Sequence, residues 1–311
     1  MVQTWSGATE RAGAVPGRDR RAGLREQLEH DAATDGFGRR LTWNLFWLPL
    51  TSLAVLLASA VVFRPEYDKM LHEDWPVEWA QFAGCLFICV VALMSVRPAL
   101  RGGRPLLAGL LLLSGLAWFF LAGEEISWAQ RVFGFATPGG FEGNRQAEAN
   151  LHNFDSGFDP EAVFRGLQVV IGLGMSALAL YARLGRVRPD SSWRIAAPPL
   201  CTVPLFLTIV GYRFLGLFVP EGFGFYGRLQ EWAEFCQYAG LTAALVCVYW
   251  AVQPQTEPVG GRARHALRPR ARRDWRRLLP AAVVVLVITL VFALLTPFSG
   301  LIPGNAPGQG N

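Results

Sequence analysis

Seven runs of apolar residues, each close to the length of a membrane-spanning helix, dominate the sequence. A helix needs about 20 mostly apolar residues to cross the hydrocarbon core of a bilayer. Of the 311 residues, 52% are hydrophobic and 17% are charged, which is typical of a polytopic membrane protein. We therefore predict an all-α integral membrane protein with about seven transmembrane helices. The predicted spans are residues 44–63, 77–96, 105–122, 163–183, 197–218, 229–252 and 279–298.

Positive charge alternates between the two sides of the predicted bundle, and this alternation predicts its orientation. Arginines are concentrated in the N-terminal tail and in three connections, residues 97–104, 183–194 and 262–277. The other connections are rich in Asp and Glu instead. Because Arg-rich and Lys-rich loops stay on the cytoplasmic side, we predict a cytoplasmic N-terminus and an extracytoplasmic C-terminus.

The same patterns divide the chain into three predicted regions. Residues 1–42 are polar and Arg-rich, and we predict a disordered cytoplasmic tail with a short helix at 24–31. Residues 43–298 form the predicted transmembrane domain, which includes an outer polar loop at 123–160. Residues 299–311 are rich in Gly and Pro and are predicted to be a flexible tail.

Basic charge and cysteine usage exclude some functions and indicate a source. The Arg-rich run before the seventh span is explained by topology and by anionic headgroups, so we predict no nucleic-acid binding. All five cysteines lie in predicted spans, which leaves neither a disulfide framework nor a CxxC zinc pattern. All but one of the 29 Lys and Arg residues are Arg, which indicates a bacterium with a GC-rich genome. The predicted location is the plasma (inner) membrane.

Polar residues gather where the predicted spans meet the extracytoplasmic side. Apart from arginines at the cytoplasmic boundary, the ionisable residues within the spans all fall in their outer third. These residues and their polar neighbours are Glu78, Gln81, Glu124, Glu125, Arg165, Gln168, Arg213, Glu231 and Glu234. The loop after the third span adds Asn144, Glu148, Asn150, His152 and Asn153. Because charges at that depth are costly unless paired or hydrated, we predict one polar cavity that opens outward.

A carboxylate pair beside a histidine suits general acid–base catalysis, because one group can accept a proton while another donates one. We predict catalytic roles for Glu124, Glu125 and His152. Oxygen ligands with one imidazole also suit a divalent metal ion, and the predicted metal ligands are Glu124, Glu148 and His152. A three-histidine zinc site is not available, because His72 is the only other outer histidine. The predicted substrate-binding residues are Glu78, Gln81, Gln130, Arg131, Asn150, Asn153, Arg213, Glu231 and Glu234.

The stretch GEEISWAQR at residues 123–131, followed by NLHN at 150–153, resembles a pattern of bacterial multi-pass membrane proteins that have no established activity. Those proteins often read GEEISWGQR, so Ala129 stands where the pattern usually has glycine. The resemblance implies a shared site around these residues and no particular reaction. The seven-span layout with a cytoplasmic N-terminus is also similar to that of ceramidase-like membrane hydrolases, whose zinc-binding histidines have no counterparts in this sequence.

Three classes of function fit these predictions. The first is a membrane enzyme that hydrolyses or transfers a group of a lipid-linked or envelope substrate, in which Arg213 binds an anionic group or neutralises the carboxylates. The second is a transporter of a cation, a proton or a small solute, which the intramembrane carboxylates favour and the uncharged inner halves of the spans oppose. The third is a scaffold subunit of an envelope complex with the loop 123–160 as its docking surface. The predicted partners are the lipid bilayer and a lipid-like substrate.

Overall fold

The computed structural model describes the chain with gaps, and the described parts are mostly helical, with no β-strand among them. The described residues are 23–71, 76–141, 143–144, 147–151, 160–183, 187, 191–219, 225–253 and 275–298. The helices are α1 (Leu24–Thr34), α2 (Arg39–Val62), α3 (Arg64–Met70), α4 (Pro76–Arg101), α5 (Pro105–Glu125), α6 (Gln130–Phe133), α7 (Pro160–Tyr181), α8 (Ser192–Ala196), α9 (Val203–Leu215), α10 (Leu229–Val252) and α11 (Leu279–Leu295).

Five helices are long and apolar enough to cross a membrane, namely α2, α4, α5, α7 and α10. This confirms a helical membrane protein, while the number of spans and their orientation stay predictions. The fifth and seventh predicted spans contain shorter apolar helices, Leu200–Leu215 and Leu279–Leu295. Prolines explain both lengths, since Pro198 and Pro199 precede the first of them and Pro297 follows the second. Proline disfavours helix at the preceding residue and lacks the N–H that a helix interior needs.

Helix α10 is the centre of the bundle and is the most completely buried of the long helices. It packs against α4 on one side and α9 on the other, and α5 packs along α4. Helix α7 packs on α9, where Gly172 allows a close approach of the two backbones. A Cβ at Gly172 would lie 2.8 Å from the carbonyl oxygen of Phe206, so a larger residue there would push α7 outward.

One end of the bundle, which we call the basic end, contains most of the arginines in the described parts of the chain. The turn between α4 and α5, residues 191–200 with Arg183, and the C-terminal part of α10 meet there. Helix α1 also docks at this end, where the sequence predicted a disordered tail with a short helix. Residues 23–42 of the predicted tail are therefore part of the fold, and residues 1–22 lie outside the described residues.

A closed ion cluster holds α1 to the basic end. The Arg183 guanidinium lies 3.1 Å from Asp31 Oδ1 and 2.5 Å from Asp35 Oδ2, and its side chain is 1% exposed. Arg183 also donates to the carbonyl oxygens of Ala197 and Pro198. The backbone N–H of Leu200 donates to Asp31 Oδ2 at 2.8 Å. We call Arg183, Asp31 and Asp35 the basic-end ion cluster.

Candidate functional site

A left-handed turn follows the end of α5 at the opposite end of the bundle. Ser127, Trp128 and Ala129 have φ values of 48°, 51° and 64°, a conformation that costs L-residues roughly 1–2 kcal/mol each. The turn folds the Trp128 ring back over Gly123, where a Cβ would lie 2.9 Å from the ring. Glycine at 123 is therefore needed for this turn, and the positive φ of Ala129 is one that glycine would adopt without strain.

Glu124 holds this turn and the returning loop together. Its Oε1 accepts a hydrogen bond from the Trp128 indole N–H at 2.8 Å, and its Oε2 accepts one from the backbone N–H of Leu151 at 2.7 Å. Gln130 makes a similar link, since its Oε1 accepts from the backbone N–H of Ala149 at 2.6 Å. Both side chains are buried, so they fix the path of residues 147–151 against the end of α5.

Glu148 is the centre of the same network. Its Oε2 accepts hydrogen bonds from Ser127 Oγ and from Asn150 Nδ2, each at 2.6 Å, and its Oε1 pairs with Arg131. Asn144 completes the arrangement, because its amide donates to Asn150 Oδ1 and accepts from the Glu148 backbone N–H. We call this set the loop network. Its members are Glu124, Ser127, Gln130, Arg131, Asn144, Glu148 and Asn150.

A cavity of about 360 Å³ lies beside the loop network. Its polar wall contains seven carboxylates and three guanidinium groups, namely Glu78, Glu124, Glu125, Glu148, Glu161, Glu231, Glu234, Arg131, Arg165 and Arg213. The apolar wall comes from α5 and α7 and includes Phe120, Leu121, Val163, Phe164 and Leu167. We call this space the acidic cavity and the end of the bundle that contains it the acidic end. Nine of the predicted site residues thus line one cavity.

Four of these carboxylates form a cluster on α4, α5 and α10. Glu125 lies within electrostatic range of Glu78, Glu231 and Glu234, and its Oε1 accepts a hydrogen bond from Tyr238 at 3.0 Å. Glu78 is 3.9 Å from the Arg131 guanidinium, which links the cluster to the loop network. We call Glu78, Glu125, Glu231 and Glu234 the carboxylate cluster. Such a group of carboxyls can both accept and donate protons, as general acid–base catalysis requires.

Arg213 lies against the carboxylate cluster from α9. Its NH2 is 3.1 Å from Glu234 Oε1, and both NH2 and Nε donate to Gln168 Oε1. Its NH1 donates to Gln230 Oε1 at 3.0 Å. Each of its nitrogens thus has a protein acceptor, an arrangement that favours charge neutralisation over the binding of phosphate.

Glu124 and Glu125, which were both predicted to be catalytic, have different surroundings. Both oxygens of Glu124 accept hydrogen bonds from the turn and the loop, whereas Glu125 faces the other cavity carboxylates. Gln81 lies below the cavity wall, fully buried, and donates to the backbone carbonyl of Glu231 at 3.0 Å. His152 and Asn153 lie outside the described residues.

The predicted metal site involves groups that have other partners in this structure. Glu124 and Glu148 accept hydrogen bonds or pair with Arg131, as described above, and His152 is outside the described residues. Within the described parts of the chain, no group of three or more His, Cys, Asp or Glu side chains is arranged to hold a metal ion. The metal-ligand set stays a prediction.

Sequence reasoning missed Tyr238 and Gln230 as parts of the site. Tyr238 follows Glu234 by four residues and Glu231 by seven, so helical periodicity places all three on one face of α10. That spacing was the signal for Tyr238. Gln230 gave no comparable signal, since its role depends on the position of Arg213 on another helix.

Comparison of the chain with protein-family models, with curated proteins and with solved structures gives no match.

Proposed function

We propose that this protein is a membrane-embedded enzyme that hydrolyses or transfers a group of a lipid-linked substrate in the acidic cavity. The observation that supports this function is the contrast between the two walls of the cavity. Phe120, Val163 and Leu167 line it and are 40%, 46% and 53% exposed, so the apolar wall continues onto the lipid-facing surface of α5 and α7. An amphiphile can therefore enter from the bilayer with its polar head against the carboxylates.

Glu125 is the general acid or base in this proposal. It faces the cavity, it has a hydroxyl partner in Tyr238, and the other members of the carboxylate cluster surround it. Glu78 and Glu231 bind the polar head of the substrate, and Arg213 offsets the charge of Glu234. The loop network positions the end of α5, so Glu124 acts on geometry and does not touch the substrate.

The proposed setting is the plasma membrane of a bacterium, with the acidic cavity on the extracytoplasmic side. Among the described residues, the arginine-bearing turn between α4 and α5 lies at the basic end together with Arg183 and Arg194, as expected if that end faces the cytoplasm. The proposed chain has a cytoplasmic N-terminus and seven spans, two of them formed by the shorter helices α9 and α11.

The test compares wild-type protein with Glu125→Gln in nanodiscs supplied with a bacterial lipid extract. Mass spectrometry of the lipids before and after incubation detects hydrolysed or transferred groups. We expect the wild type to form a product and Glu125→Gln to lose it by about a hundredfold or more. The matched control is Glu66→Gln, an exposed carboxylate on α3 at the same end, which should retain activity. Equal product from wild type and Glu125→Gln, with both folded, would contradict the proposal.

A transporter of a cation or a proton is the second candidate, favoured by the excess of carboxylates around the cavity. Against it, no Asp, Glu, Lys or Arg occurs along α4, α5, α7 or α10 between the acidic end and the arginines of the basic end. A conducting path would need polar groups across that stretch. Liposome flux that is present in the wild type and abolished by Glu231→Gln would favour transport over catalysis.

A further inference from the structure

A long apolar groove runs along the bundle between α2 and α11. Its volume is about 450 Å³, and α4 and α10, which pack against each other, form its floor. The groove exists because several residues of the floor are small, namely Ala80, Gly84, Ala239 and Ala243. We call it the α2/α11 groove.

The α2/α11 groove is parallel to the helices and about as long as one leaflet of a bilayer is deep. Its lining extends along α10 from Phe235 to Val246, which is roughly 16 Å at the rise of an α-helix. One leaflet takes up about half of the hydrocarbon core, which is about 30 Å thick. The hydroxyl groups in its described lining have protein partners, since Thr242 donates to the Tyr238 carbonyl and Tyr238 donates to Glu125. The groove therefore fits the hydrocarbon chain of a lipid from one leaflet.

The mouth of the groove at the basic end has aromatic rings and arginines. Phe37 and Trp275 both line the groove, and their rings stack with centroids 6.0 Å apart. Arg40 and Arg277 each directly precede a lining residue, and both are exposed. Basic residues beside an apolar groove between transmembrane helices are typical of a site for the phosphate of an anionic lipid.

The charge at this mouth is positive. Two carboxylates near it pair with other arginines, since Glu29 lies 3.0 Å from Arg39 and Asp35 belongs to the basic-end ion cluster. Arginine keeps its charge throughout the physiological pH range, so the charge of Arg40 and Arg277 does not depend on a titration. The mouth therefore favours an anionic head over a zwitterionic or a cationic one.

We propose that the α2/α11 groove binds an acyl chain of an anionic phospholipid, whose phosphate is bound by Arg40 and Arg277. The site is separate from the acidic cavity, because no described residue lines both. The inference goes beyond the proposed function, since this lipid is a bound ligand of the fold and not the substrate. The chain packs against the ring of Tyr238, whose hydroxyl donates to Glu125 in the cavity.

Gly84 allows the groove to be filled without disturbing the packing of α4 on α10. A Cβ there would lie 3.9 Å from the Cβ of Tyr238, which is an ordinary contact distance. Gly84→Leu therefore places its side chain in the groove. Gly109 on α5 is the matched control, because it is exposed, has open space around it and is not among the groove residues.

A second pair of variants tests the head of the lipid. The double variant Arg40→Gln/Arg277→Gln removes two cations from the mouth of the groove. The control Arg97→Gln/Arg101→Gln removes two exposed arginines of the same end, which lie in the last turns of α4 and outside the groove.

The experiment measures the binding of dioleoylphosphatidylglycerol and dioleoylphosphatidylcholine to the full-length protein in mild detergent, by native mass spectrometry over a range of lipid concentrations. We expect the wild type to bind phosphatidylglycerol about tenfold more tightly than phosphatidylcholine, and Arg40→Gln/Arg277→Gln to remove most of this preference. Gly84→Leu should weaken both lipids about tenfold, because it displaces a few buried methylenes. Both control variants should bind as the wild type does.

Each contrary result overturns a stated part of the inference. Equal binding of the two lipids by the wild type, or an unchanged preference in Arg40→Gln/Arg277→Gln, would overturn the phosphate site. Unchanged binding by Gly84→Leu would overturn the groove as the chain site. A wild-type dimer without bound phospholipid, which Gly84→Leu converts to a monomer, would show that the groove holds a second copy of the chain instead.

Discussion

The two ends of the bundle each bury a group of charged side chains, and they do so in opposite ways. At the basic end, Arg183 is enclosed with Asp31 and Asp35, and backbone groups take up its remaining hydrogen bonds. At the acidic end, seven carboxylates and three guanidinium groups of the described residues line an open cavity. Buried charges that are paired and enclosed have a structural role, whereas titratable groups gathered around an open cavity are typical of a functional site.

The largest expected effect is at the basic end, where Arg183→Met should lower the free energy of unfolding by about 3–5 kcal/mol. The substitution leaves Asp31 and Asp35 buried without the Arg183 guanidinium, and it removes two of the ion pairs that hold α1 to this end. Unfolding of the purified protein in detergent measures the change. Arg97→Met is the control, because Arg97 is exposed near the same end. An equal decrease in the free energy of unfolding for Arg183→Met and Arg97→Met would mean that the basic-end ion cluster does not stabilise the fold more than an exposed arginine does.

Glu124→Gln should have the next largest effect and lower the free energy of unfolding by about 1–3 kcal/mol. One of the two acceptor oxygens becomes an amide that faces a donor, either the Trp128 indole or the Leu151 backbone N–H. The fluorescence of Trp128 in a variant that lacks the other tryptophans would report whether the turn has opened. Unchanged stability would show that Glu124 does not fasten the loop and belongs with the carboxylate cluster instead.

Glu125→Gln should have the opposite effect and raise the free energy of unfolding by on the order of 1 kcal/mol. The substitution removes one of four neighbouring carboxylates and keeps an oxygen that can accept from Tyr238. The same unfolding assay, run beside Glu124→Gln, compares two adjacent residues of one type. If Glu125→Gln lowered the free energy of unfolding as much as Glu124→Gln does, the two glutamates would have the same structural role, and the carboxylate cluster would not differ from the loop network in this respect.

The smallest expected effect is that of Ala129→Gly, which should raise the free energy of unfolding by about 0.5–1 kcal/mol. Glycine adopts the positive φ of this position without strain, and part of that gain is lost to the greater freedom of the unfolded chain. Ala147, which also has positive φ, provides a comparison in the returning loop through Ala147→Gly. Destabilisation by Ala129→Gly would mean that the left-handed turn does not form.

The sequence was sufficient to predict the helical membrane fold and the clustering of polar residues at one end. Both follow from local patterns. The apolar runs predict the helices, and a similar depth along these helices is expected for four glutamates, Glu78, Glu125, Glu231 and Glu234. Adjacent residues of one type, such as Glu124 and Glu125, could not be told apart in this way. Their roles depend on a left-handed turn that non-glycine residues rarely form, and no propensity predicts it at Ser127 and Trp128.

The docking of α1 could not be predicted for a related reason. Leu24–Thr34 is polar and has few apolar residues, which is typical of a solvated tail. Its position is set by ion pairs between Asp31 and Arg183, which are 152 residues apart in sequence. Pairings over such distances leave no periodic signal in either segment.

The charge-free middle of the long helices has an electrical consequence. Because Asp, Glu, Lys and Arg occur only near the two ends of the long helices, most of a membrane potential falls across the apolar stretch between them, as across the insulating layer of a capacitor. A charge that crosses the whole layer changes its free energy by about 2.3 kcal/mol per 100 mV. A proton or a charged group that enters the acidic cavity from its own end crosses little of that layer. Binding in the cavity should therefore be nearly independent of voltage, even in a strongly energised membrane.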